Sequence, residues 1–404
     1  MKKAYLALPI FLLVVLVLYF SLSERPCGLE TTEYSFDGIK NVILSNGPIV
    51  ESDDGVHIIA PDGSVKTLPR PNGTVLGNIG EFLVVESANY LEVMGEKSLF
   101  RAPKSKVLRK VLVTGVINET IPLEFGVGDE YLALLEPLDD YHVRLTFYYP
   151  ESGKTLRYVL SENPRFLKLL VRGNVTVLGG YPDWNLYYFI NGSRAYGTKI
   201  PVECGYEDYG GFTIWLGEKG RGYTLTSMNG TAGYFDGRGV RTVSLNPPHC
   251  FSPSERVSLT TAEGGVAIGG CLVLTVHGDE DYLGFYDVNR AVPGLVFRAP
   301  YTADLIGSGG YVLARYDSVS VLFNCTGEVE RVHRPYDEIY PFRGGFLLVG
   351  YNGGTTTLTF LPSEKKFEME GLKVIGVLNG NIVGIRGGKL LIFSPEVDGW
   401  RDST

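Results

Sequence analysis

Apolar and β-branched residues recur along this chain in short runs that are separated by Gly-Gly, Asn-Gly or Pro-Ser turn signals. Runs of this length and composition, bounded by turn residues, are typical of β-strands. The clearest group lies at the following positions: Asp337–Phe342, Gly345–Tyr351, Thr355–Leu361 and Lys365–Met369. Together these four runs predict one four-stranded antiparallel module.

The same unit recurs from near Asn41 to Pro395. A glycine-rich turn comes before the second strand of each unit, and the turns lie at Asn46-Gly47, Ile79-Gly80, Gly126–Asp129, Arg172-Gly173, Gly210-Gly211 before FTIWLGE, Gly269-Gly270, Gly309-Gly310, Gly344-Gly345 and Asn379-Gly380. One such module cannot bury both of its faces, so it needs neighbours of its own kind. We therefore expect an all-β fold, a single large β-propeller of four-stranded blades. The turns predict eight or nine blades, with seven as the alternative because Gly220–Gly270 is irregular.

The two ends of the repeat predict that the ring is closed. The last unit supplies three strands, at Leu372–Val377, Asn381–Arg386 and Lys389–Ser394, and Thr32–Phe36 supplies a fourth. Pairing the first strand with the last unit removes the open edges of an unclosed array. This architecture resembles the β-propeller superfamily, including WD40-like and secreted repeat propellers, although the sequence signatures of those families are not reproduced. The resemblance implies a binding surface in most members and a hydrolase or lyase in some.

The N-terminus begins with Lys2 and Lys3 and continues with an uncharged apolar run, Ala4–Leu22. A positive charge before such a run predicts a cytoplasmic N-terminus and an external remainder. We expect a single-pass transmembrane anchor, with the lipid bilayer as the partner of residues 4–22; a cleaved signal peptide is the alternative. The expected domains are residues 1–30 as anchor and linker, 31–397 as extracellular propeller and 398–404 as tail.

Two further features favour an extracellular glycoprotein. Asn-x-Ser/Thr sequons occur more often than Ser and Thr frequency alone gives, at Asn72, Asn118, Asn174, Asn191, Asn229 and Asn324. The five cysteines lack zinc spacing, which leaves disulfides or free thiols. From their places in the predicted strands we expect the bridges Cys204–Cys250 and Cys271–Cys325, with free thiols as the alternative.

The composition of the chain bears on its class of partner and on the growth temperature of its source organism. The net charge of −8 argues against a nucleic acid partner. The sequence contains no Gln and only 4 Met, and depletion of thermolabile residues is a hyperthermophile bias.

Candidate chemistry is confined to loops on one face of the predicted disc. No hydrolase elbow, zinc-protease motif or phosphate-binding loop occurs, so no catalytic residue can be assigned. Acidic and aromatic residues lie in the loops after the second strands, and they are Asp53, Asp54, Asp139, Asp140, Tyr181, Asp183, Trp184, His277, Asp279, Glu280 and Asp281. Such a rim would suit a divalent cation, a glycan or a basic protein surface, and a solvated surface is the plain alternative.

The sequence thus predicts a membrane-anchored extracellular module that binds or scaffolds a protein or glycan partner, and it implies no cofactor beyond a divalent cation. The alternative is a glycoside hydrolase or lyase that uses paired carboxylates in a central acidic pocket.

Overall fold

The computed structural model describes residues 29–112, 115–165, 167–180, 185–199, 213–216, 223–226, 231–235, 240–244, 261–278, 280–290, 294–333 and 336–395. Every regular element in these ranges is a β-strand. Within the same ranges, no helix has the length and apolar character that crossing a membrane requires.

The first two blades and the hairpin that follows them occupy the start of the described chain. The strands are β1 (Leu29–Ser35), β2 (Asn41–Leu44), β3 (Pro48–Glu51), β4 (Val56–Ile59), β5 (Val65–Leu68), β6 (Thr74–Ile79), β7 (Phe82–Glu86), β8 (Tyr90–Met94), β9 (Ser98–Pro103), β10 (Ser105–Leu112) and β11 (Gly115–Pro122). Blade 1 is β2–β5, blade 2 is β6–β9, and β10 and β11 form a separate two-stranded hairpin.

Blades 3 to 5 follow in the same strand order. Their strands are β12 (Glu124–Val127), β13 (Leu132–Pro137), β14 (Val143–Tyr149), β15 (Lys154–Leu160), β16 (Leu167–Arg172), β17 (Val175–Gly180), β18 (Asn185–Ile190), β19 (Ser193–Lys199), β20 (Thr213–Leu216), β21 (Tyr223–Thr226), β22 (Thr231–Phe235) and β23 (Val240–Ser244). Each consecutive group of four strands is one antiparallel sheet.

Blades 6 to 9 complete the chain. Their strands are β24 (Thr261–Ile268), β25 (Cys271–His277), β26 (Tyr282–Asp287), β27 (Gly294–Pro300), β28 (Leu305–Ser308), β29 (Tyr311–Arg315), β30 (Ser320–Asn324), β31 (Gly327–Val332), β32 (Glu338–Phe342), β33 (Gly345–Asn352), β34 (Thr355–Leu361), β35 (Lys365–Glu370), β36 (Lys373–Leu378), β37 (Asn381–Arg386) and β38 (Lys389–Pro395). Blade 9 consists of β36, β37, β38 and β1.

The described residues therefore form nine four-stranded sheets. The first strand of each blade lies against the first strand of the next, and β36 of blade 9 lies against β2 of blade 1, which closes the ring. β1 pairs antiparallel with β38, from Leu29 opposite Pro395 to Ser35 opposite Lys389. The expected propeller and its closing blade are confirmed, and the strands expected around Phe342–Glu370 match β32–β35 closely.

One strand was predicted in the wrong place within its blade. FTIWLGE was expected to be a second strand after Gly210-Gly211, but Thr213–Leu216 is β20, the first strand of blade 5. A short run of alternating apolar residues identifies a strand, yet it carries no local information about the position of that strand in a sheet.

The strand order defines two faces of the disc. The turns between first and second strands and between third and fourth strands lie on one face, called the bottom face. The turns between second and third strands and the links between blades lie on the opposite, top face. Both β1 and β38 have their outer chain ends, Leu29 and Pro395, at the bottom face.

Neighbouring bottom turns bind one another directly. The backbone N–H of Gly269 donates to the Gly309 carbonyl at 3.2 Å, and the N–H of Asp129 donates to the Gly173 carbonyl at 3.0 Å. Gly309 has a φ of 56°, and a Cβ at this position would lie 2.6 Å from the Cα of Gly344. Glycine supplies both the left-handed conformation and the close approach that this turn requires.

A disulfide joins two of these turns. Cys271 opens β25 and Cys325 follows β30 of the next blade, and the two are bonded with a Cα–Cα distance of 5.7 Å. This bridge between blades 6 and 7 confirms the expected pair. Cys204 and Cys250 lie outside the described residues.

The core lies between the faces of adjacent blades. Phe147 of blade 3 is fully buried, and its ring lies 5.2 Å from that of Tyr131 and 5.3 Å from that of Phe189 in blade 4. Closer to the axis, Gly126 of β12 faces Val171 of β16, and a Cβ on Gly126 would lie 2.6 Å from the Val171 Cβ. Small residues in first strands therefore let neighbouring blades approach each other.

The outer edges of several blades are irregular. The pairing of the fourth strand shifts by one residue in β9, β19, β27 and β31. In three of them the extra residue is an exposed apolar side chain, namely Leu99, Val296 and Val329. A bulge on an edge strand bends it and hinders pairing with another chain.

Candidate functional site

The hairpin β10–β11 departs from the repeat and stands on the top face, in the link between blades 2 and 3. Its strands pair without a shift over eight residue pairs, from Ser105 opposite Pro122 to Leu112 opposite Gly115. This hairpin was not predicted from the sequence. The sequence signal for it was the spacing of the glycine-rich turns. Gly80 and Gly126 lie further apart than Gly309 and Gly344 do, which leaves room for an element beyond the four strands of a blade.

One arginine fastens the hairpin to blade 3. The Arg165 Nε donates to Oε1 of Glu119 at 3.0 Å, and Nη2 donates to the other Glu119 oxygen and to Oδ1 of Asp140 at 2.9 Å. These bonds, first to Glu119 and then to Asp140, raise the pKa of Arg165. A guanidinium held by two carboxylates joins β11 to the top loop of blade 3.

The same face of the hairpin makes its other contacts with blade 3. Lys106 binds Glu136 at 3.2 Å, and Glu136 also accepts a hydrogen bond from Arg144 at 3.2 Å. Leu108 and Ile121 are buried. Because side chains alternate across a strand, Lys106, Leu108, Glu119 and Ile121 share one face of the hairpin, and that face lies against the blade.

Large apolar side chains are exposed around this attachment. Tyr141 is 74% exposed, Val159 is 61% exposed and Val107 is 59% exposed. Among the side chains whose exposure the structure describes, no other large hydrophobic residue is more than half exposed. Val107 lies on the outer face of the hairpin, whereas Tyr141 and Val159 lie at the top end of blade 3. We take these three residues together as the candidate interaction site and call them the blade 3 top surface; Tyr141 and Val159 belong to the blade, and Val107 to the hairpin that is fastened to it.

Each of the expected acidic residues of blades 1 and 3 already has a cationic or hydroxyl partner. Asp53 binds Lys40 at 2.5 Å, and Asp140 binds Arg165. Asp139 binds His142 at 2.9 Å, and the backbone N–H of Tyr141 also donates to it, which lowers the pKa of Asp139. These carboxylates therefore make ion pairs and hydrogen bonds that order their own loops.

The acid and histidine of blade 6 are paired in the same way. His277 Nδ1 lies 3.2 Å from Oδ1 of Asp281, and its Nε2 lies 3.2 Å from the Tyr301 hydroxyl. Both ring nitrogens therefore have partners within the protein. Glu280 is exposed beside this pair, whereas Asp279, Tyr181, Asp183 and Trp184 lie outside the described residues.

The structure does not bring the predicted rim together. The acids of blades 1, 3 and 6 lie on separate blades, and the described ranges contain no group of three or more His, Cys, Asp or Glu side chains that could hold a metal ion. The acidic loops are therefore separate local networks, as far as the described residues show.

One of these networks contains a serine, a histidine and an aspartate. Ser52 Oγ donates to Oδ1 of Asp54 at 2.5 Å and lies 2.7 Å from Nε2 of His57, whose Nδ1 lies 3.0 Å from the Thr67 hydroxyl. Ser52 and His57 are buried, and the hydrogen bond from Ser52 is the main cause that lowers the pKa of Asp54. Because both Ser52 and His57 are shielded from solvent, we interpret the network as one that stabilises the top of blade 1.

A second acidic and aromatic cluster joins blade 8 to blade 9. Glu338 Oε2 accepts hydrogen bonds from the hydroxyls of Tyr340 at 2.8 Å and Tyr351 at 3.1 Å. The Tyr351 oxygen in turn accepts from the backbone N–H of Val374 at 3.2 Å. Burial and then the bond to Glu338 raise the pKa of Tyr351 to about 12. The role of Tyr351 was not predictable from the sequence, because its contact with Glu338 depends on strand pairing.

The sequons lie on both faces of the disc. Asn118 and Thr120 are exposed on the outer face of the hairpin, and Asn72 lies in the link before blade 2. Asn174, Asn191 and Asn324 lie at bottom turns. Asn229 lies outside the described residues. Glycosylation of these sites stays a prediction.

Comparisons with known proteins give no family by sequence. No protein-family model matches the chain, and no curated protein matches it. Among solved structures, BamB from Moraxella catarrhalis is similar over 90% of this chain and 97% of that chain, with 11% identity and a TM-score of 0.36. Sqt1 from Chaetomium thermophilum, solved bound to the N-terminus of ribosomal protein L10, is similar over 79% of this chain and 94% of that chain, with 11% identity and a TM-score of 0.40.

Both TM-scores are low, so the assignment of the fold rests on the sheets themselves. Nine antiparallel four-stranded sheets follow one another around a ring, and the first strand of the chain completes the last sheet. By this architecture the chain has the β-propeller fold.

Proposed function

We propose that this propeller is a binding module for a protein partner and that it engages the partner through the blade 3 top surface. The observation that carries the proposal is the exposure of Val107, Tyr141 and Val159 beside a hairpin that is fastened by ion pairs. Exposed apolar side chains on a rigid support, rimmed by charged groups, are typical of protein interfaces.

The contrast between the two faces supports the top face as the functional one. Bottom turns are joined to each other by hydrogen bonds and by the Cys271–Cys325 bridge. The top face carries the inserted hairpin, and loops placed on a rigid scaffold are where binding residues concentrate. A protein partner is favoured over a glycan because the acidic groups in the top loops of blades 1 and 3 are already paired within the protein.

We further propose that the module faces the exterior of a cell, held by the apolar segment Ala4–Leu22. The support is that β1 starts at the bottom face, since Leu29 pairs with Pro395 there. A membrane anchor that joins the propeller at the bottom face would leave the blade 3 top surface directed away from the membrane.

Site-specific photo-crosslinking tests the proposed surface. A benzophenone amino acid replaces Tyr141 in one variant and, as a matched control, Lys154 in the bottom turn of the same blade. In cells that express the chain, we expect protein adducts from position 141 and none from position 154. The substitutions Val107→Ser and Val159→Ser should weaken the adduct. Equal adducts from both positions, or adducts from position 154 alone, would exclude this surface.

A further inference from the structure

We propose that an extended segment of the partner protein adds to the outer edge of β11 as a third strand of the hairpin. This inference rests on the proposed function and specifies its mode of recognition. β-Strand addition uses backbone hydrogen bonds from an exposed edge for affinity and alternate side chains for specificity.

From Val116 to Thr120 the edge of β11 lacks the bulge, the short length and the dense charge that protect several outer strands of the blades. β9, β27 and β31 carry bulges, β5 has only four residues, and β35 carries a charge on most of its residues. β11 pairs with β10 without a shift and contains one charged residue, Glu119, which Arg165 binds. In the described part of the chain no third strand pairs with the hairpin. Long, regular, uncharged edges are the ones that accept another strand.

The pairing pattern identifies the backbone groups that are available. The N–H of Leu123 donates to the Lys104 carbonyl at 2.8 Å, directly beyond the end of the hairpin. Because antiparallel residues alternate between bonded and non-bonded pairs, Ile121, Glu119 and Ile117 direct their N–H groups to β10. Thr120, Asn118 and Val116 then direct theirs outward. Pro122 falls in the outward set, where its missing N–H costs the hairpin nothing.

The sequences of the two strands favour the edge of β11 over that of β10. β10 contains Lys106, Arg109 and Lys110, whereas β11 contains no cationic residue. Lysine and arginine on an edge strand oppose strand addition. A segment that adds to β11 would lie beside Thr120, which is exposed opposite Val107. We therefore assign the occupant as an uncharged, β-branched extended segment of the partner.

The test removes one outward N–H and leaves the hairpin bonds intact. Thr120→Pro deletes that donor, and Thr120→Ala is the matched control, because it keeps the donor and equally removes the sequon. Val116→Pro is a second variant on the same edge, and Arg109→Pro deletes an outward N–H from β10. Protection of the Leu108 and Ile121 amides in hydrogen exchange verifies that the hairpin is still formed.

The probe is a displayed library of nine-residue peptides, selected on the wild-type protein. We expect selected peptides to bind wild type, Thr120→Ala and Arg109→Pro within threefold of one another. Binding to Thr120→Pro and Val116→Pro should fall at least tenfold. Peptides that bind all the variants equally, a loss with Thr120→Ala as large as with Thr120→Pro, or a selection without binders would overturn the inference.

Two results separate this inference from the proposed function. Crosslinking from position 141 that persists in Thr120→Pro would retain the binding surface and reject strand addition. Proline-sensitive peptide binding without any crosslink from position 141 would retain the edge and reject the surface. A wild-type dimer that Thr120→Pro dissociates would identify a second copy of this chain as the occupant and overturn the assignment to a partner protein.

Discussion

Arg165 binds Glu119 through both oxygens of the carboxylate, and this contact joins the inserted hairpin to the link that follows blade 3, 46 positions further along the chain. The pair is partly exposed, so its contribution to the free energy of unfolding is about 1 kcal/mol or less. Its importance is local, because it holds β11 in place on blade 3.

The first prediction tests that local role. Arg165→Leu should increase the rate of trypsin cleavage after Lys106, Arg109 and Lys110 by about fivefold, which corresponds to about 1 kcal/mol. The melting temperature of the whole protein should change little. The matched control is Arg331→Leu, which removes a similar two-point contact with Glu328 in blade 7. Cleavage of the hairpin at the same rate in both variants would show that Arg165 does not fasten it.

The second prediction concerns the bridge between blades 6 and 7. Replacing Cys271 and Cys325 by Ser should destabilise the protein by about 2–4 kcal/mol, because the bridge closes a loop of 54 residues in the unfolded chain. Calorimetry with and without a reductant provides the measurement. Reductant should lower the melting temperature of the wild-type protein and leave that of the double variant unchanged. A wild-type melting temperature that is the same with and without reductant would contradict the prediction.

The third prediction tests the close approach of first strands. Gly126→Ala should cost about 1–3 kcal/mol, since the added methyl group overlaps the Val171 side chain. The matched control is Gly350→Ala in β33, where a Cβ would meet nothing within 4 Å. Thermal unfolding should show a lower melting temperature for the first variant alone. Equal melting temperatures would mean that the blades can separate without penalty at Gly126.

The fourth prediction concerns pH. Burial, followed by repulsion from Glu364, raises the pKa of Glu330 above its ordinary value of 4.5. The folded state then binds the proton more tightly than the unfolded state, so ionised Glu330 reduces stability at neutral pH. We expect Glu330→Gln to raise the melting temperature at pH 7 by about 1 °C. The difference should disappear as the pH falls below 4.5, where the unfolded state also becomes protonated.

A matched substitution with the opposite sign checks this reasoning. The hydrogen bond from Arg331 lowers the pKa of Glu328. Its contribution to stability is present above the ordinary pKa and is lost as the pH falls through the folded value. Glu328→Gln should therefore lower the melting temperature at pH 7. The same direction of change for Glu328→Gln and Glu330→Gln would contradict the assigned electrostatic causes.

The sequence predicted the parts of the fold that local signals determine. Gly344 and Gly380 have φ values of 83° and 71°, and glycine marks such turns in the sequence itself. The strands between them were consequently placed within a residue or two. Thr213–Leu216 was assigned to the wrong position in its blade, because position in a sheet depends on pairing partners and not on the strand's own residues.

The candidate site was less predictable for the same reason. Asp140 was singled out as a member of an acidic rim, but its charge is neutralised by Arg165 from another part of the chain. Val107 and Tyr141 could not be identified as interaction residues from the sequence, since an apolar residue indicates a binding surface only when the structure shows that it is exposed. The alternation of residues in β10 and β11 was visible in the sequence, whereas their pairing as a sheet of their own, outside the neighbouring blades, was not.

The pairing of Leu29 with Pro395 allows opening of the closed ring to be measured directly. The first and last described residues are partners in one sheet, so fluorophores attached at these two ends would be close enough for efficient energy transfer while blade 9 is intact. Separation of β1 from β38 opens the ring and moves the labels apart, whether or not the other blades have melted. Energy transfer between the two ends would therefore distinguish separation of β1 from β38 from unfolding of the other blades.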